Sequence, residues 1–133
     1  MKEIFNSLGL LWLRLAAGLG MAWHGYGKIF GGWMPKFTQG VAEMGFPYPE
    51  VFAWAAALSE FAGGLLLAAG LFSKPAALFI FSTMGVAAFI RHAADPFHVK
   101  ELALAFWTVA GALVLLGPGR FSIDALREKK KTP

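Results

Sequence analysis

The chain has 133 residues, 57% of them hydrophobic and 15% charged, with a formal net charge of +4 and no cysteine. Ordinary soluble domains carry roughly 45–50% apolar and about 25% charged residues, and small domains leave much of their surface exposed, so this composition argues against a soluble monomer and against disorder. Without cysteine the chain has no disulfide, thiolate metal site, iron–sulfur cluster or thiol nucleophile of its own.

A membrane-crossing helix needs about 20 mostly apolar residues. The first such stretch runs from about Phe5 to Trp23, with its helix continuing toward Lys28. Lys2 and Glu3 leave no net positive leader and Arg14 interrupts the apolar run, so the stretch reads as a span rather than a signal peptide. The others run from about Val51 to Phe72, from Pro75 to about Ala93, and from about Glu101 to Leu116, the last with room to begin a turn earlier. The expected fold is all-α: one integral-membrane four-helix domain over residues 1–133, with a basic tail at 120–133.

The connection over residues 24–50 is not an ordinary polar loop, because it holds Phe30, Trp33, Phe37, Phe46 and Tyr48. Pro35 can open a short helix with Phe37, Val41 and Met44 on one face, and Gly45 can end it. Pro47 and Pro49 then stiffen the entry to the second span. This segment reads as an interfacial or re-entrant helix, or as an aromatic belt and no more. Phe72-Ser-Lys-Pro75 is a tight turn, with Pro75 suited to the first turn of the next helix. Gly117-Pro118-Gly119 stops the fourth span. Ser122 can cap a short final helix, with Phe121 and Leu126 placed as a hydrophobic staple at the interface. Ala62 to Ser73 and Ala110 to Ser122 echo one another across one gap, as a duplicated hairpin or as low-complexity coincidence.

Four spans put both termini on one side. That side carries Lys2, Lys74, Arg120, Arg127, Lys129, Lys130 and Lys131. The other carries Lys28, Lys36, Arg91 and Lys100 among Glu43, Glu50, Asp95 and Glu101. The positive-inside rule makes the first side cytoplasmic, so the basic excess reports topology rather than nucleic-acid binding.

Charges within a bilayer are costly and usually pair inside the bundle. Arg14 lies about ten residues into the first span from one side and Glu60 about nine into the second from the other. At 1.5 Å per residue their depths agree within about two turns. An Arg14–Glu60 ion pair, direct or through a neighbour, is expected. Ala53, Ala56, Ala57, Gly63 and Gly64 share the face of Glu60, and Gly18 and Met21 lie near that of Arg14, allowing close helix contact. Glu101, Ala105, Thr108 and Ala112 form a similar stripe on the fourth span. Such a pair can lock helix register or handle a proton for a ligand.

The remaining polar residues gather at the outer level: His24 and Lys28 at i,i+4, Arg91 and His92 at the end of the third span, then Asp95, His98, Lys100 and Glu101. The set His24, Lys28, Glu60, Arg91, His92 and Glu101 is a candidate ligand site. A quinone fits it, because quinone carbonyls need hydrogen-bond donors and a proton path, with Glu60 as relay. A metal held by His24, His92 and His98 with Asp95 or Glu101 lacks a tight ligand-spacing motif. Bis-histidine haem would need ligands that all lie near helix ends or in a turn. A solvated rim of charges is the plain alternative.

The pieces also resemble, in order and spacing, the DoxX family of small four-helix membrane proteins. They are Arg14 followed by His24-Gly25 and Lys28, and Gly45-Phe-Pro-Tyr-Pro49 leading to Glu60, Gly63-Gly64 and Gly70-Leu71. Then come Lys74-Pro-Ala-Ala77, Glu101, and Gly117-Pro-Gly-Arg-Phe-Ser-Ile-Asp124. The resemblance implies a membrane bundle in a quinone- or thiol-related redox setting. It carries over no catalytic residue set. Three functions fit these features. The chain is a membrane subunit of a quinone-linked redox system, with Arg14 tuning Glu60 and any redox group either bound or lying on a partner protein. It is a transporter of a small molecule or ion, a role that would also suit a small dimeric proton-coupled exporter. Or it is a scaffold whose Gly- and Ala-rich faces pack against partner helices.

Overall fold

The structure, a computed structural model, describes residues 1–132. Helix α1 runs unbroken from Lys2 to Phe30. Its 29 residues span about 43 Å, more than the roughly 30 Å hydrocarbon core of a bilayer. The helix therefore continues well past Trp23 and carries His24 and Lys28 as regular helical positions. A short helix, α2 (Met34–Glu43), follows, with Pro35 in its first turn.

Helix α3 (Pro49–Ala69) ends at Gly70, whose left-handed backbone closes the helix. Helix α4 (Ser73–Val86) continues as one π-helical turn over Ala87–Arg91. Helix α5 (Phe97–Leu116) begins a turn before Glu101, and α6 (Ile123–Lys131) closes the described chain. Ser122 caps α6 by accepting a hydrogen bond from the Ala125 N–H at 3.1 Å. Among the described residues there is no strand, and four helical stretches are long and apolar enough to cross a membrane: Lys2–Phe30, Pro49–Ala69, Ser73–Arg91 and Phe97–Leu116. The architecture is a membrane helical bundle.

The bundle is built from two tight pairs. In the first, α1 and α3 touch backbone to backbone: a Cβ on Gly18 would lie 2.5 Å from the Gly64 carbonyl oxygen. Small residues make this approach possible, and in lipid such packing, rather than hydrophobic exclusion, drives association. In the second pair, Phe81 of α4 stacks on Trp107 of α5 with ring centroids 5.1 Å apart. The pairs meet through a buried apolar cluster that includes Met21, Leu67, Ile80, Met84 and Leu113. This cluster fills the half of the bundle nearer the termini. Beyond Met21 and Met84, toward α2, the pairs part and leave a cavity. The outer surface carries exposed Trp12, Leu19, Phe79 and Leu115, as a lipid-facing surface requires.

Candidate functional site

The cavity has a volume of about 1070 Å³. Its walls come from α1, α2, α3, the α4 end and α5, and are mostly apolar, with aromatic rings such as Phe37, Phe52 and Phe106. Met21 and Met84 belong both to this wall and to the apolar cluster, so the cluster forms its floor. Trp23 and Phe79 line it while remaining largely exposed, so the cavity communicates with the membrane face of the bundle.

Five of the six candidate residues line this cavity: His24, Lys28, Glu60, Arg91 and His92. Glu101 is exposed and does not line it. Arg91 and His92 are sequence neighbours that both reach the cavity wall, at the end of the π turn. Such single π turns occur often at functional sites. The His92 ring sits 2.7 Å from Asp95, and the His24 ring meets Phe106 edge-on at 6.0 Å. His24, His92 and His98 do not converge: among the described residues no group of three His, Asp or Glu is placed to hold a metal ion.

The polar centre of the cavity is Lys28 with Glu60. The Lys28 ammonium donates to both carboxylate oxygens of Glu60, at 2.6 and 2.5 Å. The Glu60 side chain is only 2% exposed and Lys28 is 21% exposed. The Phe37 ring of α2 lies over the same ammonium at 4.2 Å, a cation–π contact that replaces part of its lost hydration. On the α3–α4 side, the Thr83 hydroxyl donates to Ser59 at 3.2 Å.

The expected Arg14–Glu60 pair is corrected by this geometry. Gly25 of α1 faces Phe61, Gly18 and Ala22 face Gly64, and Arg14 faces Gly70. In that register Glu60 lies near the level of residue 25, roughly 15 Å along the helix axis from Arg14. Depth counted from span edges does not fix this register, which is set by where Gly18 and Gly25 of α1 meet Gly64 and Phe61 of α3. Lys28, one turn beyond His24, is the cation within reach.

Arg14 instead belongs to a second polar centre at the opposite, terminal end. It is fully buried, and its Nη2 donates to the Phe121 carbonyl at 2.5 Å. Its Nε and Nη1 have no hydrogen-bond partner among the described residues. A Cβ on Gly70 would collide with the Arg14 guanidinium and the Ser122 side chain, so no space is left there for a ligand. Asp124 completes this centre by accepting from the N–H groups of Phe72 and Ser73, both at 2.9 Å, and from the Ser73 hydroxyl at 2.8 Å. Its own N–H donates to the Gly70 carbonyl at 2.8 Å. Asp124 therefore caps the start of α4 from a remote helix and holds Phe72 in a left-handed conformation. Burial pushes the Asp124 carboxyl upward, but the Ser73 and Phe72 hydrogen bonds and nearby Arg127 outweigh it and hold it below its ordinary range.

Sequence reasoning missed Phe37 over Lys28, Asp124 on α4, and Glu43, which Arg91 reaches at 3.0 Å. Only the last two carried a signal, an acid in the final helix and an acid in the 24–50 connection.

The family model described as DoxX matches residues 9–93, a stretch that contains Arg14, His24, Lys28, Glu60, Arg91 and His92. The chain is 35% identical to "Inner membrane protein YphA" of Escherichia coli (strain K12) over 124 residues, covering 86% of this chain and 87% of that protein. It is 31% identical to "Inner membrane protein YqjF" of the same organism over 135 aligned positions, covering 98% and 99%. No solved structure gives a significant match.

Proposed function

The chain belongs to the DoxX family, and on that premise we propose that it is an inner-membrane subunit of a quinone-linked redox system, with the α2-end cavity as its quinone site. One observation carries this reading: a cavity of about 1070 Å³ with aromatic walls has donors from two helices in its lining, Lys28 and His24 of α1 and Arg91 and His92 at the α4 end, while largely exposed Trp23 and Phe79 open its side to the membrane face. A flat ring fits between apolar and aromatic walls, its two carbonyl oxygens need donors, and its hydrocarbon tail needs a lipid-side exit. Lys28 can share its three protons between Glu60 and a ring oxygen. The absence of cysteine rules out dithiol electron shuttling by the chain itself, so electrons pass through a bound group or a partner redox protein.

The apolar floor at Met21 and Met84 favours a closed-ended chamber over a transport path. The basic side, with Lys74, Arg120, Arg127 and Lys129 to Lys131, is assigned to the cytoplasm, so both termini are cytoplasmic and the cavity lies near the outer leaflet. The names of both bacterial relatives support the inner membrane as location.

The test is mass spectrometry on the organic extract of the protein purified in mild detergent. A quinone recovered at about one per chain, and lost on Arg91→Ala with the fold retained, is the expected result. An extract free of quinone from well-folded protein overturns the reading.

A further inference from the structure

Helix α2 differs in construction from the four spans. It has 10 residues and no side-chain cap at its start. Gly32 and Gly45 flank it with φ of +81° and +86°, conformations that glycine takes without steric cost and that let a chain pivot. Trp33, Lys36, Phe37, Gly40, Val41 and Met44 line the cavity. Their spacing of three and four residues makes them one helical face. The inner face of α2 is therefore a wall of the site.

Its two sides are held differently. Toward α1, Phe37 sits on Lys28; Val41 is buried, and the segment packs mainly on α3, with Phe46 against Phe52 at 5.0 Å. Toward α4, a single ion pair joins it to the π turn: Arg91 Nη1 to Glu43 Oε2 at 3.0 Å, with side chains 43% and 53% exposed. Gln39 donates to the other Glu43 oxygen at 3.3 Å, which orients the carboxylate. The Arg91 guanidinium runs beside Gly40, close enough that a Cβ there would stand 3.4 Å from Nη2, in van der Waals contact. An exposed pair of this kind is weak and screened by salt. It suits a contact that must break and remake.

We propose that α2 is a lid over the cavity, hinged at Gly32 and Gly45 and latched shut by the Glu43–Arg91 ion pair. The inference rests on reading the cavity as a ligand site, and adds how access to that site from water is controlled. Its test uses no ligand, so the two readings fail separately.

The chain has no cysteine, so Ser59→Cys places a single thiol on the cavity wall. The protein is held in lipid nanodiscs, with both faces in water, and treated with an uncharged, membrane-impermeant glycol maleimide. Labelling rates are compared in four backgrounds: the parent, Glu43→Gln, Glu43→Arg, and Glu43→Arg combined with Arg91→Glu. Removing the attraction is expected to speed labelling about two- to five-fold, the range an exposed ion pair supports. Reversing the charge speeds it further, and the double swap returns it to within about two-fold of the parent. Equal rates in all four overturn the lid. So does a double swap as fast as the single reversal, or a thiol that stays unlabelled throughout. Both positions are exposed, and the swap controls for any loss of fold.

Discussion

The two polar centres on α1 begin from the same material, a long cation in an apolar helix, and end differently. Arg14 at the terminal end is enclosed by backbone: it donates to the Phe121 carbonyl and lies against Gly70, with no room beside it. Lys28 at the α2 end faces a carboxylate and borders a cavity of about 1070 Å³. A buried cation is thus not by itself a functional mark. What separates the two is the space beside the charge and the kind of acceptor it meets. A backbone carbonyl is a fixed partner of the fold, whereas Glu60 is a charge that must be answered by something, and Lys28 or a ligand group can answer it.

The largest test of this contrast is to remove each cation. Lys28→Met leaves the buried Glu60 carboxylate uncompensated, and at neutral pH it should cost about 3–5 kcal/mol. Arg14→Met leaves the Phe121 carbonyl without its donor and takes a cation from near Asp124, whose carboxylate keeps its hydrogen bonds to Phe72 and Ser73, and should cost about 1–2 kcal/mol. Unfolding in detergent followed by circular dichroism measures both. Equal costs would erase the distinction between the centres.

A smaller effect is expected at Asp124. Asp124→Ala removes the cap on α4, for about 1–2 kcal/mol, and should free α6, seen as faster trypsin cleavage at Arg127. The sign with pH follows from its depressed carboxyl. The contribution is fully present above the ordinary value near 3.8 and is lost as pH falls through the lower folded value. Tail cleavage by an acid-active protease should therefore rise only in strong acid, and a rise already at pH 6 would contradict the assignment.

The smallest effect belongs to Phe37→Leu, which keeps apolar cover over Lys28 but removes the ring face. A loss of about 0.5–1 kcal/mol is expected for a partly exposed cation–π contact, measured by thermal melting, with the double mutant Phe37→Leu/Lys28→Met showing no further loss from the ring. Additive losses would mean that Phe37 acts by packing alone.

Much of the fold was legible because it depends on local pattern. The four apolar stretches, Pro35 opening α2, the Gly117-Pro118-Gly119 stop and the Ser122 cap each follow from neighbouring residues. The candidate site was legible in part: five of its six residues meet at one cavity. Glu101 fell outside because it starts no helix; α5 begins at Phe97 and turns Glu101 to the exposed surface. The partner of Glu60 was missed because it depends on the register of α1 against α3.

The sequence by itself determined that this chain forms a helical membrane bundle, since length and hydropathy act along the chain and need no partner. Only the tertiary structure decided which cation meets Glu60, that Asp124 caps a helix 51 residues away in sequence, and that the helix pairs part above Met21 and Met84. Those choices depend on register and separation between distant helices. Here Gly18 against Gly64 sets the register, because backbones without side chains lock at one contact distance and every side chain farther along α1 and α3 is placed by that lock.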